Sequence, residues 1–424
     1  MNKILFMLLI GLSIFPISNL AYSQIAYDPY AMAQTGFSGA TGLTMIKGED
    51  GELTPFYRLQ LRPEINLDKI GVGFDAVLLY NPDKDIRSED GEKWDSWRDY
   101  IRAIRYFRYG HRRDSLYFVY GALDNMYIGH GLIMGGYSNY DRRGLRFDVN
   151  TKVLGAETIL NNLAESNIFG GRIYLRPFQI LNIAPLINRL TFGATYITDI
   201  DPNPESDSED SLIAYSLDLS IPIIKALGLE IYNELASLRG LVKSPRPPLI
   251  KGEVETGVGY AVGTGMEIFS ANFKIEYRIL NEYFQPTPFD YTYEASKPLK
   301  FTAKGQQKGI YSLLAYNLPQ KIWGAIAYED YNLSDPNLYG EIVEIGLIDK
   351  MSLRAFYVKR GIEDFKDIFD LDEKSAFTVR IGFEVFSPLE LAVSREFRFR
   401  EREDGKGFET ISKTSFELGV NVQF

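Results

Sequence analysis

The sequence has no cysteine, so no part of the fold can lean on a disulfide. It has two histidines, His111 and His130, which leaves little material for a histidine metal site or a catalytic triad. No GxSxG, HExxH, P-loop or CxxC pattern occurs. Long hydrophobic runs are missing too: beyond residue 23 nothing approaches the ~20 apolar residues of a spanning helix, and mean hydropathy is -0.14. The net charge of -10 removes the electrostatic basis for holding nucleic acid. These absences exclude a disulfide-stapled domain, a helical membrane protein and a nucleic-acid-binding protein.

What is present is aromatic. The 424 residues include Tyr 28 and Phe 27, 14% aromatic with tryptophan, enough for two interfacial belts or for the core of a soluble β-protein. At the start, Lys3, the apolar run Ile4 to Phe15 and Ala21-Tyr22-Ser23 read as a secretory signal peptide over 1-23, with a mature chain from near Gln24. Residues 24-36 carry no clear period and are expected to form a periplasmic lead. No Pro/Ser-rich linker divides the remainder, so 37-424 reads as one domain of repeated hairpins.

The period is two. Tyr57, Leu59, Leu61, Ile65 and Leu67 alternate with Arg58, Gln60, Arg62, Glu64 and Asn66; Val72, Phe74, Ala76, Leu78 and Tyr80 follow. Far downstream Phe273, Ile275, Tyr277 and Ile279 alternate with Lys274, Glu276 and Arg278, and Phe377, Val379, Ile381, Phe383 and Val385 with Thr378, Arg380, Gly382 and Glu384. Successive strand side chains point to opposite faces, so each run has one apolar and one polar face. Alternation alone does not tell a soluble sandwich from a barrel in lipid. The connections discriminate. Counting back from the end, 401-407, 361-374, 332-337 and 282-305 are long, whereas Ser387-Pro388, Asp349-Lys350 and 318-320 are short. Such alternation is what short periplasmic turns and long outer loops produce.

The last run, Phe416, Leu418, Val420, Val422 and Phe424, alternates to a terminal aromatic. It resembles the C-terminal strand of Gram-negative outer-membrane β-barrels, in which such a strand is the assembly signal. The resemblance implies an all-β, antiparallel, up-and-down transmembrane β-barrel in the outer membrane. It also implies outer-membrane lipids, lipopolysaccharide and the barrel assembly machinery as partners, and it leaves room for a homo-oligomer. The alternation gives about 20 strands if 124-142 is a loop, with about 16 or 18 as alternatives.

Two stretches carry candidate sites. Arg98, Arg102, Arg105, Arg108, Arg112 and Arg113 crowd one segment; as a strand, Arg102, Arg105 and Arg108 form an arginine ladder on the pore wall that favours anions, and as a helix from Trp97 to Tyr109 they do not. The alternative is that they pair with lumen acids and brace the wall. Arg58, Arg62, Glu64, Lys274, Glu276, Arg278, Arg380 and Glu384 are the other expected pore-lining residues. Gly121 to Tyr140 has five glycines, Gly121 included, and is too apolar to lie in water. It is expected inside the barrel as a constriction loop resembling that of porins, presenting Tyr127, His130, Met134 and Tyr137; an extra strand pair is the alternative.

The acidic run 199-210 and the basic loop with Arg239, Lys243, Arg246 and Lys251 read as solvated outer surface, the latter able to meet lipopolysaccharide phosphates. The expected function is a porin-like channel passing small hydrophilic solutes, with no cofactor and no metal. Alternatives are a non-conducting surface-binding or assembly barrel, and a barrel lipid hydrolase using His130 with Ser138 and Asp124 or Asn125.

Overall fold

The computed structural model describes residues 35–423 apart from 48–52, 83, 88–102, 113, 124, 140–141, 182, 203–210, 243–252, 292, 297–304, 319–320, 345–346, 373–374, 387–388 and 402–407. The expected signal peptide, nearly all of the expected lead segment, Arg98, Arg102, Arg113, Asp124, the loop lysines Lys243 and Lys251, Arg246 and Phe424 lie outside the described residues.

Twenty antiparallel staves form a nearly closed barrel. Each stave pairs with the next in sequence, as an up-and-down order requires. Two staves are interrupted. Ile70–Phe74 and Ala76–Asn81 make one, broken at Asp75; Lys84–Arg87 and Ile104–Tyr109 make the next. The barrel closes where Gly36–Ala40 pairs with Gly419–Gln423, a seam of five residue pairs against thirteen in the adjoining hairpin.

The two faces are inverted relative to a water-soluble protein. In strand Leu212–Ile224, Tyr215 and Leu217 are exposed outward while Ser216, Asp218 and Ser220 are buried inward. Strand Ala271–Leu280 repeats this, with Phe273, Ile275 and Tyr277 outside and Lys274, Glu276 and Arg278 inside. A soluble sandwich buries the first set and wets the second. An apolar outer belt around a charged interior is stable only in lipid. The chain is a transmembrane β-barrel.

The connections at one rim are tight. Phe269 and Ser270 both adopt positive φ, at 48° and 69°, the backbone of a two-residue hairpin turn matched to strand twist. The other rim carries the long loops 122–143, 200–211, 281–306 and 360–374. The expected strict alternation fails twice. The connection expected over 332-337 is a tight turn at Asn332-Leu333, because Ser334–Glu344 continues pairing as far as Tyr331. At the tight rim, 176–190 is a long connection with two short 3-10 turns. The segment 104–109 is strand, so the helical alternative for the arginine-rich stretch does not hold there.

Candidate functional site

The lumen is filled on one side by two loops from the long-loop rim. The first, 122–143, turns inward and forms its own small hairpin, Met126–Ile128 with Met134–Tyr137, separate from the wall. It is thus an inward loop that contains a strand pair without adding staves. The second is 281–306, expected as an exposed loop; instead Phe284, Phe289 and Tyr293 are buried inside the barrel. The loops are stitched by backbone: Thr287 N–H donates to Leu132 O at 2.7 Å, Phe289 N–H to Ile133 O at 3.2 Å and Gly135 N–H to Phe289 O at 3.1 Å. Leu123, Met126, Ile128, Leu132, Ile133, Met134 and Tyr137 pack with Phe284, Phe289 and Tyr293 against wall residues such as Ile197, Leu212 and Ala236. The interior therefore holds an apolar core between plug and wall.

A loop buried in a barrel must find partners for its peptide groups. Wall charges supply them. Glu157 Oε2 accepts from Gly129 N–H at 3.1 Å, Glu234 Oε2 from Leu132 N–H at 3.4 Å, Arg146 Nη1 donates to Tyr127 O at 3.2 Å, and Lys274 Nζ donates to His130 O. Gly129 and Gly131, with φ of 60° and 89°, let the backbone reverse around His130. The His130 ring stacks on Tyr232 with centroids 3.9 Å apart and planes 3° apart, and its Nε2 stands 3.5 Å from Asp218 Oδ1. The ring is thus held by Tyr232 and Asp218; of the set considered for a hydrolase, Asp124 lies outside the described residues.

The gripping charges are themselves paired. Arg172 forks onto Asp218 at 2.9 and 2.6 Å and reaches Glu157 at 3.5 Å. Gly193 leaves the space for this fork, since a Cβ there would fall 2.1 Å from Asp218 Oδ2. Glu276 takes Lys274 at 2.7 Å, Arg278 at 2.5 Å and the Tyr232 hydroxyl at 2.7 Å. At the outer end Tyr137 O–H donates to Glu294 at 2.5 Å, Asn161 to Glu294 at 3.0 Å, and Tyr293 O–H to Asp199 at 2.8 Å. Asp199, expected in the solvated acidic run, is a buried anchor of the plug.

The sealed sector runs from strand Leu116–Gly121 round to strand Ile322–Tyr331. Most of its inner side chains are buried, and Tyr311, Ala325, Ala327 and Glu329 at its far edge are partly so. The strands Ser334–Glu344, Met351–Lys359, Ser375–Phe386 and Leu389–Glu401 differ: where their side chains are described, most inner groups are half exposed, with Glu341 and Ala392 buried among them. Arg354 meets Glu341 at 3.5 Å and Arg380 meets Glu390 at 3.5 Å, with 54% and 42% of the two arginine side chains open. Tyr291 of the second loop stacks on Phe356, centroids 4.3 Å apart, beside Tyr339.

The sequence-expected pore residues divide between these sectors. Lys274, Glu276 and Arg278 are inward and covered by the plug. Arg380 and Glu384 are inward and half exposed. Arg58, Arg62 and Glu64 are inward on Leu53–Leu67, where Arg62 pairs with Asp75 at 3.0 Å and Glu64 takes Arg105 and, at 2.5 Å, Tyr106. Arg108 is fully buried near the tight rim and donates to Gly110 O at 2.5 Å, Asp68 O at 2.6 Å and Asn66 at 2.9 Å. Of the expected constriction loop, His130, Met134 and Tyr137 are buried in the plug and Tyr127 packs against Leu313 and Ala315. The residues that hold the plug, Glu157, Arg172, Asp218 and Glu234, were not singled out from sequence. Their polar-face positions were visible in the alternation, but their partners come from loops.

No protein-family model matches the sequence, and no curated protein does. Among solved structures the chain is similar to Wzi, an outer-membrane protein involved in group 1 capsule assembly in Escherichia coli and described as a carbohydrate-binding β-barrel. That likeness has 9% identity, 93% of this chain and 86% of that one covered, and a TM-score of 0.33. It is also similar to OccAB1 of Acinetobacter baumannii, at 10% identity, 95% and 99% coverage and TM-score 0.29, and to OpdL of Pseudomonas aeruginosa, at 10%, 92% and 96%, and 0.29. At these scores the likeness carries no argument about function.

Proposed function

We propose that the protein is an outer-membrane channel for passive diffusion of small hydrophilic solutes, with the tight rim in the periplasm. The path runs along the open sector, between the plug and the strands Ser334–Glu344 to Leu389–Glu401. The observation that carries this reading is the half-exposed state of the inner arginines there, against the buried state of Arg172 across the lumen. Water that reaches Arg354 and Arg380 from inside a barrel implies a wet path. Half-exposed cations Arg354 and Arg380 on these strands, joined by Arg62 and Arg105 on the staves beyond the seam, give the path the means to favour anions, tempered by an acidic partner at each. Of the arginine ladder proposed for Arg102, Arg105 and Arg108, Arg105 on the stave Ile104–Tyr109 is the one accessible member among the described residues.

A planar-bilayer recording tests this. The intact protein should show small, discrete conductance steps in potassium chloride. A second reading is favoured by the plug itself, whose two loops bury a continuous apolar core: a non-conducting barrel that presents its outer loops to a surface ligand. Absence of steps in both the intact protein and a variant lacking part of 127–137 would decide for that second reading.

A further inference from the structure

The long connection at the tight rim, 176–190, departs from the other turns there in length and in chemistry. Between Arg176 and Arg189 it has no charged residue, and Ile180, Leu181 and Ile183 are 71%, 62% and 59% exposed. A loop of this composition standing in water would cost burial energy of about 1.5–3 kcal/mol for each such side chain left wet. It is nevertheless a built element. Asn188 Oδ1 accepts from Ile183 N–H at 2.9 Å, Asn188 N–H donates to Ala184 O at 2.9 Å, Arg176 N–H donates to Val153 O at 2.7 Å and its guanidinium to Thr151 O at 2.8 Å. At the far end Arg189 donates to Pro222 O at 3.2 Å and Ile223 O at 3.1 Å.

Its position explains its apolar surface. Phe178 lies against Phe192, centroids 6.5 Å apart, and Phe192 points outward into the lipid-facing belt. The belt is low here. Strand Ile168–Leu175 has 8 residues and Thr191–Asp199 has 9. At about 3.3 Å per residue and a tilt near 45°, eight residues span only about 19 Å of the ~25 Å apolar band of such barrels. The neighbouring strand Leu212–Ile224 has 13 residues and runs on past Ser220, the last partner of Thr191. The connection fills the step between them.

We propose that 176–190 is a ledge that inserts Ile180, Leu181, Ile183 and Leu186 among the acyl chains of the membrane leaflet at the tight rim, extending the belt where the wall is short. On the functional reading above this is the periplasmic leaflet. The occupant follows from continuity with the lipid-facing surface through Phe178 and Phe192, and from the absence of any charge that a soluble partner would be expected to meet.

The chain has no cysteine, so a single introduced one reports its own position. Purified Leu181→Cys and Ile183→Cys proteins would carry an environment-sensitive fluorophore in vesicles made of phospholipid alone, with Leu217→Cys as belt control and Lys321→Cys as turn control. The ledge positions should be quenched by nitroxide-labelled lipid nearly as strongly as Leu217, and spared by aqueous iodide; Lys321 should show the reverse. A label at Ile180→Cys in a Leu181→Ser/Ile183→Ser background should stay on a folded barrel and lose most of its lipid quenching. Emission typical of water at the ledge would overturn the proposal. Protection from both quenchers would overturn it as well, since it would place a second copy of the chain over the ledge. Conductance has no part in this readout, so ledge and channel fail separately.

Discussion

Two sectors of one wall, with the same alternating sequence pattern, carry their inner arginines in opposite states. Under the plug, Arg172 and Asp218 are 5% and 0% exposed and bind each other with fork geometry. Across the lumen, Arg380 and Glu390 sit 3.5 Å apart with 42% and 19% of their side chains open. Strand period places a residue inside the barrel, but it does not say whether the inside is wet. That is decided by loops, and here two loops dry one sector and leave the other as the path.

The largest expected effect tests this division directly. Deleting part of 127–137 removes the grip on His130 O, Gly129 N and Leu132 N, so conductance should rise several-fold; an unchanged conductance would mean that the plug does not narrow the path. Next comes stability. Glu276→Gln strands Lys274 and Arg278 in a dry site and should cost about 3–5 kcal/mol in urea unfolding of the reconstituted barrel. Glu390→Gln in the open sector should cost roughly 0–1 kcal/mol. Equal losses from the two would erase the distinction between sectors.

Selectivity sharpens the comparison from the other side. Arg354→Gln with Arg380→Gln should shift reversal potentials in a salt gradient toward cations, and the shift should fade near 1 M salt, where screening acts over about 3 Å. Arg172, being dry and paired, should have no comparable influence in a variant stable enough to record. A shift that follows Arg172 and ignores Arg354 would move the path to the wrong side of the lumen.

The smallest effect is at the outer rim beside the open sector. Asp367 accepts from Glu363 N–H at 3.1 Å and pairs with Lys359 at 3.0 Å, and these interactions hold its carboxyl below the ordinary carboxylate value. A depressed value stabilises the ordered loop above the unfolded-chain value, and that support is lost as pH falls through the folded one. Hydrogen exchange of 361–370 should therefore stay slow at neutral pH and quicken only in strong acid. Quickening already near pH 6 would point to some other titrating group.

Much of this was legible in the sequence. The apolar positions of Tyr57, Leu59, Phe273 and Ile275 face lipid as their spacing requires, and treating 124-142 as a loop yields the observed twenty staves. The inward course of that loop followed from glycine and apolar content that water would not tolerate. The same reasoning applied to Phe284, Phe289, Tyr291 and Tyr293 would have turned 281–306 inward, but its length and its place in the alternation of connections suggested a free outer loop. The fate of Asp218 or Glu234 was not readable, because a period of two cannot distinguish a charge facing water from one facing a loop sixty or more residues away. The ledge escaped because turns at that rim are usually short, so an apolar fifteen-residue connection reads as strand or noise.

The plug also dictates an order of events in folding. Thr287 and Gly131, which meet through a hydrogen bond of 3.2 Å, are 156 residues apart in the chain, and the staves between them must be in place before the loops can meet. Contacts of such separation form late. The plug therefore docks only after the staves from Gly144 to Leu280 have paired, with Lys274, Glu276 and the other inner charges hydrated until the loops arrive and expel that water from one side. The seam joins Gly36 to Gln423, a still wider separation, so closing the wall and drying its interior are separate events, each waiting on the staves between its own partners.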